Sequence, residues 1–413
     1  MRSDIYKSFL FLAVSLTLLT SVPAFSRIYN YQDIALGERS SGMGQVSMAL
    51  VGDVGNAFFN PAVLSWSKGS QMCASLSAYE RIDSRTGKFV SVFESALDNV
   101  KRGGFDSIPS MIGGHLQEGD WVWGGGVFVP TSFSTAGTQD NGDKFFSYEG
   151  NSQDVWLNAF GSFKYNERTR FGVSFFYASK ELREKFTTAV RSGGNIDARF
   201  EERYWSVNGM SVILGGVHIL SDHLTLGWSL RPRVWQWGGT GQRSLIETGN
   251  DTGVGSDFVP KFFPLAARIS TGIAYRFSDD FLMAFDLHFY PGYSGNLSPD
   301  SEDEFKIDAS PIANFGIGAE YFYSKGLGFR LGFNSNLSAS RKLPPGMSAV
   351  VDKIHMGTGT AAIVLRTENG DLSIGGWASG GQGWTRRFDP ENTTKTPRSL
   401  YLYGAVIGST YKF

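Results

Sequence analysis

Cysteine is almost absent from this chain of 413 residues. A single one, Cys73, excludes an intramolecular disulfide framework and a cysteine-based zinc site. Neither charge is in excess, since 38 Lys and Arg face 39 Asp and Glu, and this balance leaves no basic footprint for nucleic acid. The five histidines have no metal-ligand spacing. We therefore expect no nucleic-acid partner, no metal and no other cofactor.

Long hydrophobic runs are also missing beyond residue 26, so the sequence predicts no transmembrane helix in the mature chain. Before that point, Phe9 to Leu19 form an apolar stretch behind a short basic region. This stretch is too short to cross a hydrocarbon core of ~30 Å. Small residues follow it, with plausible cleavage after Ala24 or Ser26. We predict that residues 1–26 are a signal peptide and that the mature protein is exported.

Glycine (51 residues) and aromatic residues (14%) are abundant, while charged residues make up only 19%, a composition typical of β proteins. Apolar residues alternate with polar ones in Phe281–Phe289, where Asp286 and His288 share one face. The same alternation recurs in 268–277 and 329–334. Each such strand has one apolar and one polar face, which fits a soluble sandwich or a membrane barrel with its apolar face outward.

The lengths of the connections favour the barrel. Six tight polar turns interleave with seven longer polar segments, which gives about fourteen strands, with twelve to sixteen allowed, and puts both termini at the short-turn end. Outer-membrane barrels have short periplasmic turns and long external loops, whereas a soluble sandwich has no reason to sort loops by length. The turns lie at 117–120, 166–169, 221–223, 278–280, 324–326 and 367–370.

The mature N-terminal stretch, residues 27–67, lacks strand alternation and precedes a predicted barrel at 68–413. Its small residues would let an irregular backbone pack closely, and its apolar residues, such as Phe58 and Phe59, favour burial. Irregular backbone at membrane depth is tolerated where protein or water surrounds it. We expect this stretch to plug the lumen as a hatch; the alternative is a disordered periplasmic tail.

Residues 36–64, LGERSSGMGQVSMALVGDVGNAFFNPAVL, resemble the hatch of the FadL/TodX-type long-chain fatty-acid transporters of the bacterial outer membrane. The shared features are a glycine-rich run, then an Asp, then the triplet Asn60-Pro61-Ala62. The chain departs from the family at Val63, where Gly is common. The resemblance implies an all-β, antiparallel transmembrane barrel of fourteen strands whose lumen a hatch closes. It also implies a monomer in outer-membrane lipid, with its termini on the periplasmic side.

The resemblance further implies a lateral gap at an inward kink of the third strand. Here that strand is Trp121–Val129, and Gly124, Gly125 and Gly126 lie in its middle. Three consecutive glycines weaken a strand and favour a bulge. The prediction is a lateral opening at these glycines; the alternative is tight packing against the hatch.

Two arginines are candidates for binding a ligand carboxylate. Arg231 and Arg268 fall on the polar, lumen-facing side of their strands, and an arginine can bind a carboxylate with two parallel hydrogen bonds. Alternatively, each pairs with Asp286, Glu320 or an acid of the hatch. A helical pattern in 89–100 predicts an external loop that captures apolar ligands or caps the barrel. Its apolar face holds Phe89, Val92, Phe93 and Leu97.

The sequence thus predicts an outer-membrane channel for passive uptake of hydrophobic compounds, with long-chain fatty acids as the first candidate. Capture by external loops, rearrangement of the hatch and lateral release are the expected steps. A barrel that serves a protein partner as carrier or scaffold is the alternative. No nucleophile is marked, so we predict no catalytic residue and no enzymatic activity.

Overall fold

Strands dominate the computed structural model of the chain. It describes residues 29–31, 36–67, 69–86, 105–140, 144–192, 195–248, 250–296, 306–341, 351–386 and 396–413. Two short helices, α1 (Glu38–Gly42) and α2 (Asn56–Phe59), and a 3-10 helix at Pro61–Trp66 precede the strands. The strands are β1 (Gln71–Thr86), β2 (Phe105–Glu118), β3 (Trp121–Asp140), β4 (Lys144–Lys164), β5 (Thr169–Ser192), β6 (Asn195–Ile219), β7 (Leu224–Arg231), β8 (Trp235–Glu247), β9 (Asn250–Phe258), β10 (Arg268–Arg276), β11 (Phe281–Tyr290), β12 (Tyr293–Asn296), β13 (Lys306–Ala309), β14 (Ile312–Ser324), β15 (Leu327–Asn336), β16 (Val351–Thr367), β17 (Gly370–Arg386) and β18 (Thr396–Lys412).

The strands form a closed antiparallel barrel. Each wall strand pairs with its neighbours in the chain, and β1 pairs with both β2 and β18, so the sheet closes on itself. β7 and β8 follow one another along the same position of the wall and together form one interrupted strand, and β9 and β10 do the same at the next position. β12 and β13 pair with each other in a separate two-stranded sheet. The wall therefore has 14 strands, as the sequence predicted.

The alternation of faces has the direction predicted for a membrane barrel. In β11, Phe285 is 39% exposed and Leu287 is 41% exposed, whereas Asp286 and His288 are buried. β10 repeats the pattern, with Ile269 and Ile273 exposed and Arg268 buried. Apolar residues therefore cover the outside of the barrel and polar residues line its inside, which rules out a sandwich with a dry apolar core. None of the described helices is long and apolar enough to span a bilayer.

The two ends of the barrel differ in shape. At the short-turn end, Gln71 pairs with Lys412 and with His115, so the first and last wall strands meet there. At the opposite, long-loop end the wall is uneven. β5 and β6 have 24 and 25 residues, whereas β10 and β11 have 9 and 10. Several of the long connections lie outside the described residues.

Residues 36–67, here called the N-terminal segment, lie across the lumen. Thr360 of β16 donates to the carbonyl of Gly42 and accepts from the N–H of Gly44. On the far side of the barrel, Ser162 of β4 donates to the carbonyl of Ala62. Because β4 and β16 belong to opposite parts of the ring, the segment crosses the interior.

Close backbone contact explains one glycine of this segment. Gly44 has a φ of 64°, a conformation that favours glycine. A side chain there would begin 2.6 Å from the backbone nitrogen of Phe333 in β15 and 2.8 Å from the carbonyl oxygen of Ile317 in β14. The segment thus lies directly on the barrel wall at this point.

Candidate functional site

Arg231 and Arg268 meet inside the barrel, where both were predicted to face. They are cross-strand partners at the long-loop ends of β7 and β10. Both are buried, with 3% and 2% of their surface exposed. Two cations are therefore side by side in the lumen, at the level where the interrupted wall strands break.

Neither arginine forms a salt bridge with an acid among the residues that the structure describes, although Asp286 lies close enough to interact electrostatically with Arg268. An Nη2 of Arg231 donates to the carbonyl of Ala266 over 3.0 Å. An Nη2 of Arg268 donates to the carbonyls of Phe58 and Phe59 over 2.8 and 3.2 Å. The Nε of each arginine is buried with no acceptor. The polar partners of the two guanidinium groups are thus neutral, namely these carbonyls and, for Arg268, the Tyr290 hydroxyl. An anion would bind such groups more strongly.

Aromatic rings adjoin the arginine pair. The ring of Phe58, in α2, lies 5.4 Å from that of Trp156, 5.8 Å from that of Phe176 and 6.0 Å from that of Phe128. Phe263 meets Trp156 at 6.3 Å. Such separations are typical of favourable edge-to-face and offset contacts. Phe58, Phe128, Trp156, Phe176 and Phe263 are here called the aromatic cluster.

The cluster and the arginines form one site. The Cζ of Arg268 lies 5.7 Å from the centre of the Phe58 ring, and that of Arg231 lies 5.9 Å from the Trp156 ring. The indole Nε1 of Trp156 is buried without an acceptor, so it adds a third unpaired N–H group. Sequence reasoning missed Trp156, although alternation along β4 places it on the same face as Asp154.

A different arginine does have the acidic partners that were considered for this pair. Arg330 of β15 binds Glu38 of the N-terminal segment, Nη1 to Oε1 at 2.5 Å, and Glu320 of β14, Nε to Oε2 at 2.7 Å. Arg39 also donates to Glu320. Asp286, the other acid considered, accepts from the backbone N–H groups of Ser47 and Met48. These contacts fasten the first half of the N-terminal segment to the wall.

Asp53 joins the two halves of the segment. Its carboxylate accepts hydrogen bonds from the backbone N–H groups of Glu38, Arg39 and Gly55. Burial raises the pKa of this carboxyl, and the three N–H groups oppose the rise. Asp53 is the acid that precedes the predicted hatch triplet in the sequence.

The triplet Asn60-Pro61-Ala62 starts the 3-10 helix next to the wall. The Asn60 side chain accepts from the N–H of Ala62 and donates to the carbonyls of Met48 and Gly216. Pro61 occupies the first turn, where its missing N–H costs nothing. The triplet therefore ties the segment both to itself and to β6.

The wall between β2 and β3 is paired over only part of its length. The described ladder between these strands runs from Glu118 opposite Trp121 to Met111 opposite Phe128 and goes no further towards the long-loop end. Pro109 and Pro130 lie just beyond, and proline supplies no N–H to a ladder. Beyond Phe128 the pairing of β3 with β4 also shifts register.

The predicted lateral opening at Gly124, Gly125 and Gly126 falls within the paired part. All three glycines pair with β2 on one side and β4 on the other. A Cβ on Gly124 would begin 2.2 Å from the carbonyl oxygen of Gly114, so the glycines allow neighbouring backbones to approach closely. The interruption lies on the same strand but beyond them.

The predicted capture residues Phe89, Val92, Phe93 and Leu97 lie outside the described residues, so the loop remains a prediction. Within the described part of the chain, no group of His, Cys, Asp and Glu side chains is arranged to hold a metal ion.

No protein-family model matches this chain, and no curated protein matches it. Solved structures do. The Pseudomonas putida toluene transporter TodX is 16% identical with a TM-score of 0.65, over 93% of this chain and 99% of that chain. The Ralstonia pickettii toluene transporter TbuX is 16% identical with a TM-score of 0.61, over 92% of this chain and 98% of that chain. A Pseudomonas aeruginosa FadL homologue is 12% identical with a TM-score of 0.68, over 93% of this chain and 100% of that chain. The fold of this chain is therefore that of the FadL/TodX-type barrels.

Proposed function

We propose that this protein is an outer-membrane channel for passive uptake of hydrophobic compounds that carry a carboxylate, with long-chain fatty acids as the first class to test. One observation carries the proposal: Arg231, Arg268 and Trp156 present buried N–H groups without acceptors beside a cluster of aromatic rings. Apolar surface with a few convergent polar groups is typical of a small-molecule site. The likeness to structures of toluene transporters and a FadL homologue supports hydrophobic uptake in general.

A carboxylate is the group that suits the arginine pair. Two buried cations side by side repel each other, and each is desolvated without a salt bridge to a described acid. An anion placed between them offsets both costs, and charge-assisted hydrogen bonds are about twice as strong as neutral ones. A neutral hydrocarbon would leave both costs in place.

The N-terminal segment would act as the hatch, and ligand binding would release its second half. The carbonyls of Phe58 and Phe59 occupy the Nη2 of Arg268, so an incoming carboxylate competes with them for this guanidinium. Losing these bonds frees α2 to withdraw the Phe58 ring from the cluster. The first half of the segment keeps its ion pairs with Arg330 and its bonds to Asp286.

The exit would be lateral, along β3. Phe128 belongs to the aromatic cluster and is also the last residue of β3 that pairs with β2 in the described ladder. A ligand in the cluster therefore lies beside the point where the wall separates. Gly124 to Gly126 pair with the neighbouring strands just on the short-turn side of this point and would form the lower edge of the exit. Backbone groups left unpaired there must face water, protein or ligand rather than lipid.

The test is uptake of labelled oleate by cells that lack the native protein and express variants of it. The double substitution Arg231→Gln and Arg268→Gln should reduce saturable uptake by about tenfold or more, since hydrogen bonds to charged groups contribute roughly 1.5–3 kcal/mol each. Arg276→Gln is the matched control, because Arg276 is an exposed arginine at the other end of β10.

Unchanged uptake in the double variant, with normal barrel assembly, would remove the arginine pair from the mechanism. Uptake that is the same with and without the wild-type protein would contradict transport altogether. The protein-carrier alternative would then have to be tested by isolating a specific partner.

A further inference from the structure

We infer that the site is shaped for an arylalkanoate, an acid in which a benzene ring lies two carbon atoms from the carboxylate. The inference rests on the proposed function and names the substrate class of that same site. It comes from Phe58, a residue of the N-terminal segment that occupies the site from within.

The ring of Phe58 occupies a box made of other rings. The rings of Trp156 and Phe176 contact the Phe58 ring edge to face, at interplanar angles of 66° and 82°. The ring of Phe128 is stacked on it at an interplanar angle of 27°. Phe59, its chain neighbour, adds another edge contact at 5.5 Å. Edges and faces placed in this way complement the quadrupole of an aromatic ring, which a saturated chain lacks.

The carbonyl of Phe58 occupies the cationic part of the site. Its oxygen accepts from Nη2 of Arg268 over 2.8 Å, while the guanidinium carbon lies 5.7 Å from the centre of the same residue's ring. One residue thus supplies both the ring and the oxygen that the site binds.

The covalent path between these two groups specifies a ligand skeleton. From the ring of Phe58, the chain runs through Cβ and Cα to the carbonyl carbon. The same path joins the ring and the carboxylate of 3-phenylpropanoate. A ligand with this skeleton can replace both contacts of Phe58 at once, and its carboxylate adds the charge that the neutral carbonyl does not have.

The neighbouring arginine provides for the second carboxylate oxygen. Arg231 is the cross-strand partner of Arg268, and its Nε has no acceptor. The Phe58 carbonyl has one oxygen, so it leaves this donor unused, whereas a carboxylate has two. The geometry therefore favours an aromatic acid over both a neutral arene and an aliphatic acid of equal size.

The experiment is calorimetric titration of the full mature barrel in detergent with matched probes. 3-Phenylpropanoate should bind about threefold to tenfold more tightly than 3-cyclohexylpropanoate, because aromatic pairs contribute roughly 0.5–1.5 kcal/mol beyond burial. Both acids have the same carbon skeleton and charge, and the cyclohexyl ring is the more apolar. Burial alone would therefore give the opposite order. Propylbenzene, which has the ring without the charge, should bind more weakly than 3-phenylpropanoate.

Removing the internal competitor should strengthen binding. Phe58→Ala should tighten 3-phenylpropanoate binding at least about threefold, and Phe58→Leu, which keeps most of the volume, should do so as well. Phe315→Ala is the control, since Phe315 lies on the outer face of the barrel and should leave binding unchanged. Heat-dependent mobility on electrophoresis reports whether each variant forms a barrel.

Two results would overturn the inference alone. One is equal or tighter binding of 3-cyclohexylpropanoate, and the other is unchanged binding in both Phe58 variants, in either case with oleate uptake still dependent on the arginines. If none of the acids binds and the arginine double variant takes up oleate normally, the proposed function fails as well.

Discussion

Two groups of buried arginines lie in the same lumen with different surroundings. Arg330 contacts carboxylates on both sides, one from the N-terminal segment and one from the wall. Arg231 and Arg268 contact backbone carbonyls and aromatic rings, and Arg268 also contacts the Tyr290 hydroxyl, but neither forms a salt bridge with a described acid. A cation whose carboxylate partners are already in place has a structural role, whereas a buried cation that forms no salt bridge favours an incoming anion. The partners, more than the arginines themselves, distinguish the anchor of the N-terminal segment from the proposed binding site.

The largest effect should follow from removing the anchor. Arg330→Met removes the cation that pairs with Glu38 and one of the two arginines that pair with Glu320. Breaking such a buried pair costs about 3–5 kcal/mol. We expect a matching drop in the free energy of unfolding, measured by urea-dependent folding into lipid vesicles. Restoring neutrality with Glu38→Gln in the same chain should recover part of the loss. A drop of less than about 1 kcal/mol would mean that Arg330 does not anchor the segment.

A smaller change in stability should follow from the same substitution in the proposed binding site. Arg268→Met removes a desolvated charge, which is favourable. It also removes two hydrogen bonds to carbonyls and one to Tyr290, which is unfavourable at about 1 kcal/mol each. We expect the free energy of unfolding to change by about 1 kcal/mol or less while oleate uptake falls. A loss of stability as large as that of Arg330→Met would contradict the comparison.

The smallest stability effect should come from the wall beyond Phe128. Pro130→Val adds a backbone N–H and a residue that favours strands, so it should extend pairing along β3. We expect slower uptake with unchanged equilibrium binding of ligand, because only the exit is altered. Pro397→Val is the control, since Pro397 pairs within the continuous ladder of β17 and β18. Unchanged uptake with Pro130→Val would place the exit elsewhere.

Local patterns predicted the wall of this protein well. Alternation in β11 placed Asp286 and His288 inside, and the same rule correctly placed Arg231 and Arg268. These features depend on the two-residue period of a strand, which each stretch of sequence carries by itself. The resemblance of residues 36–64 to a hatch pointed to the same fold.

Other features depend on contacts between distant parts of the chain. The aromatic cluster joins Phe58 of the N-terminal segment to rings from β3, β4 and β5, and nothing near Phe58 in the sequence specifies that meeting. The separation of the wall was expected at Gly124 to Gly126, but whether a strand edge is open depends on the neighbouring strand. The described pairing between β2 and β3 ends beyond these glycines, where Met111 of β2 lies opposite Phe128 of β3. A break between β7 and β8 was likewise not predicted.

For the proposed channel, the attachment of α2 at both ends has a consequence for the resting permeability of the barrel. Asp53 holds the chain just before this helix, and β1 begins shortly after it, at Gln71. Under the proposed function, Phe58 would therefore compete with any ligand as a tethered group, at an effective concentration on the order of millimolar. External dilution cannot weaken such a competitor. If the protein works as proposed, such a barrel would stay shut to trace solutes that bind loosely, and it would close again without an energy source once a molecule had left.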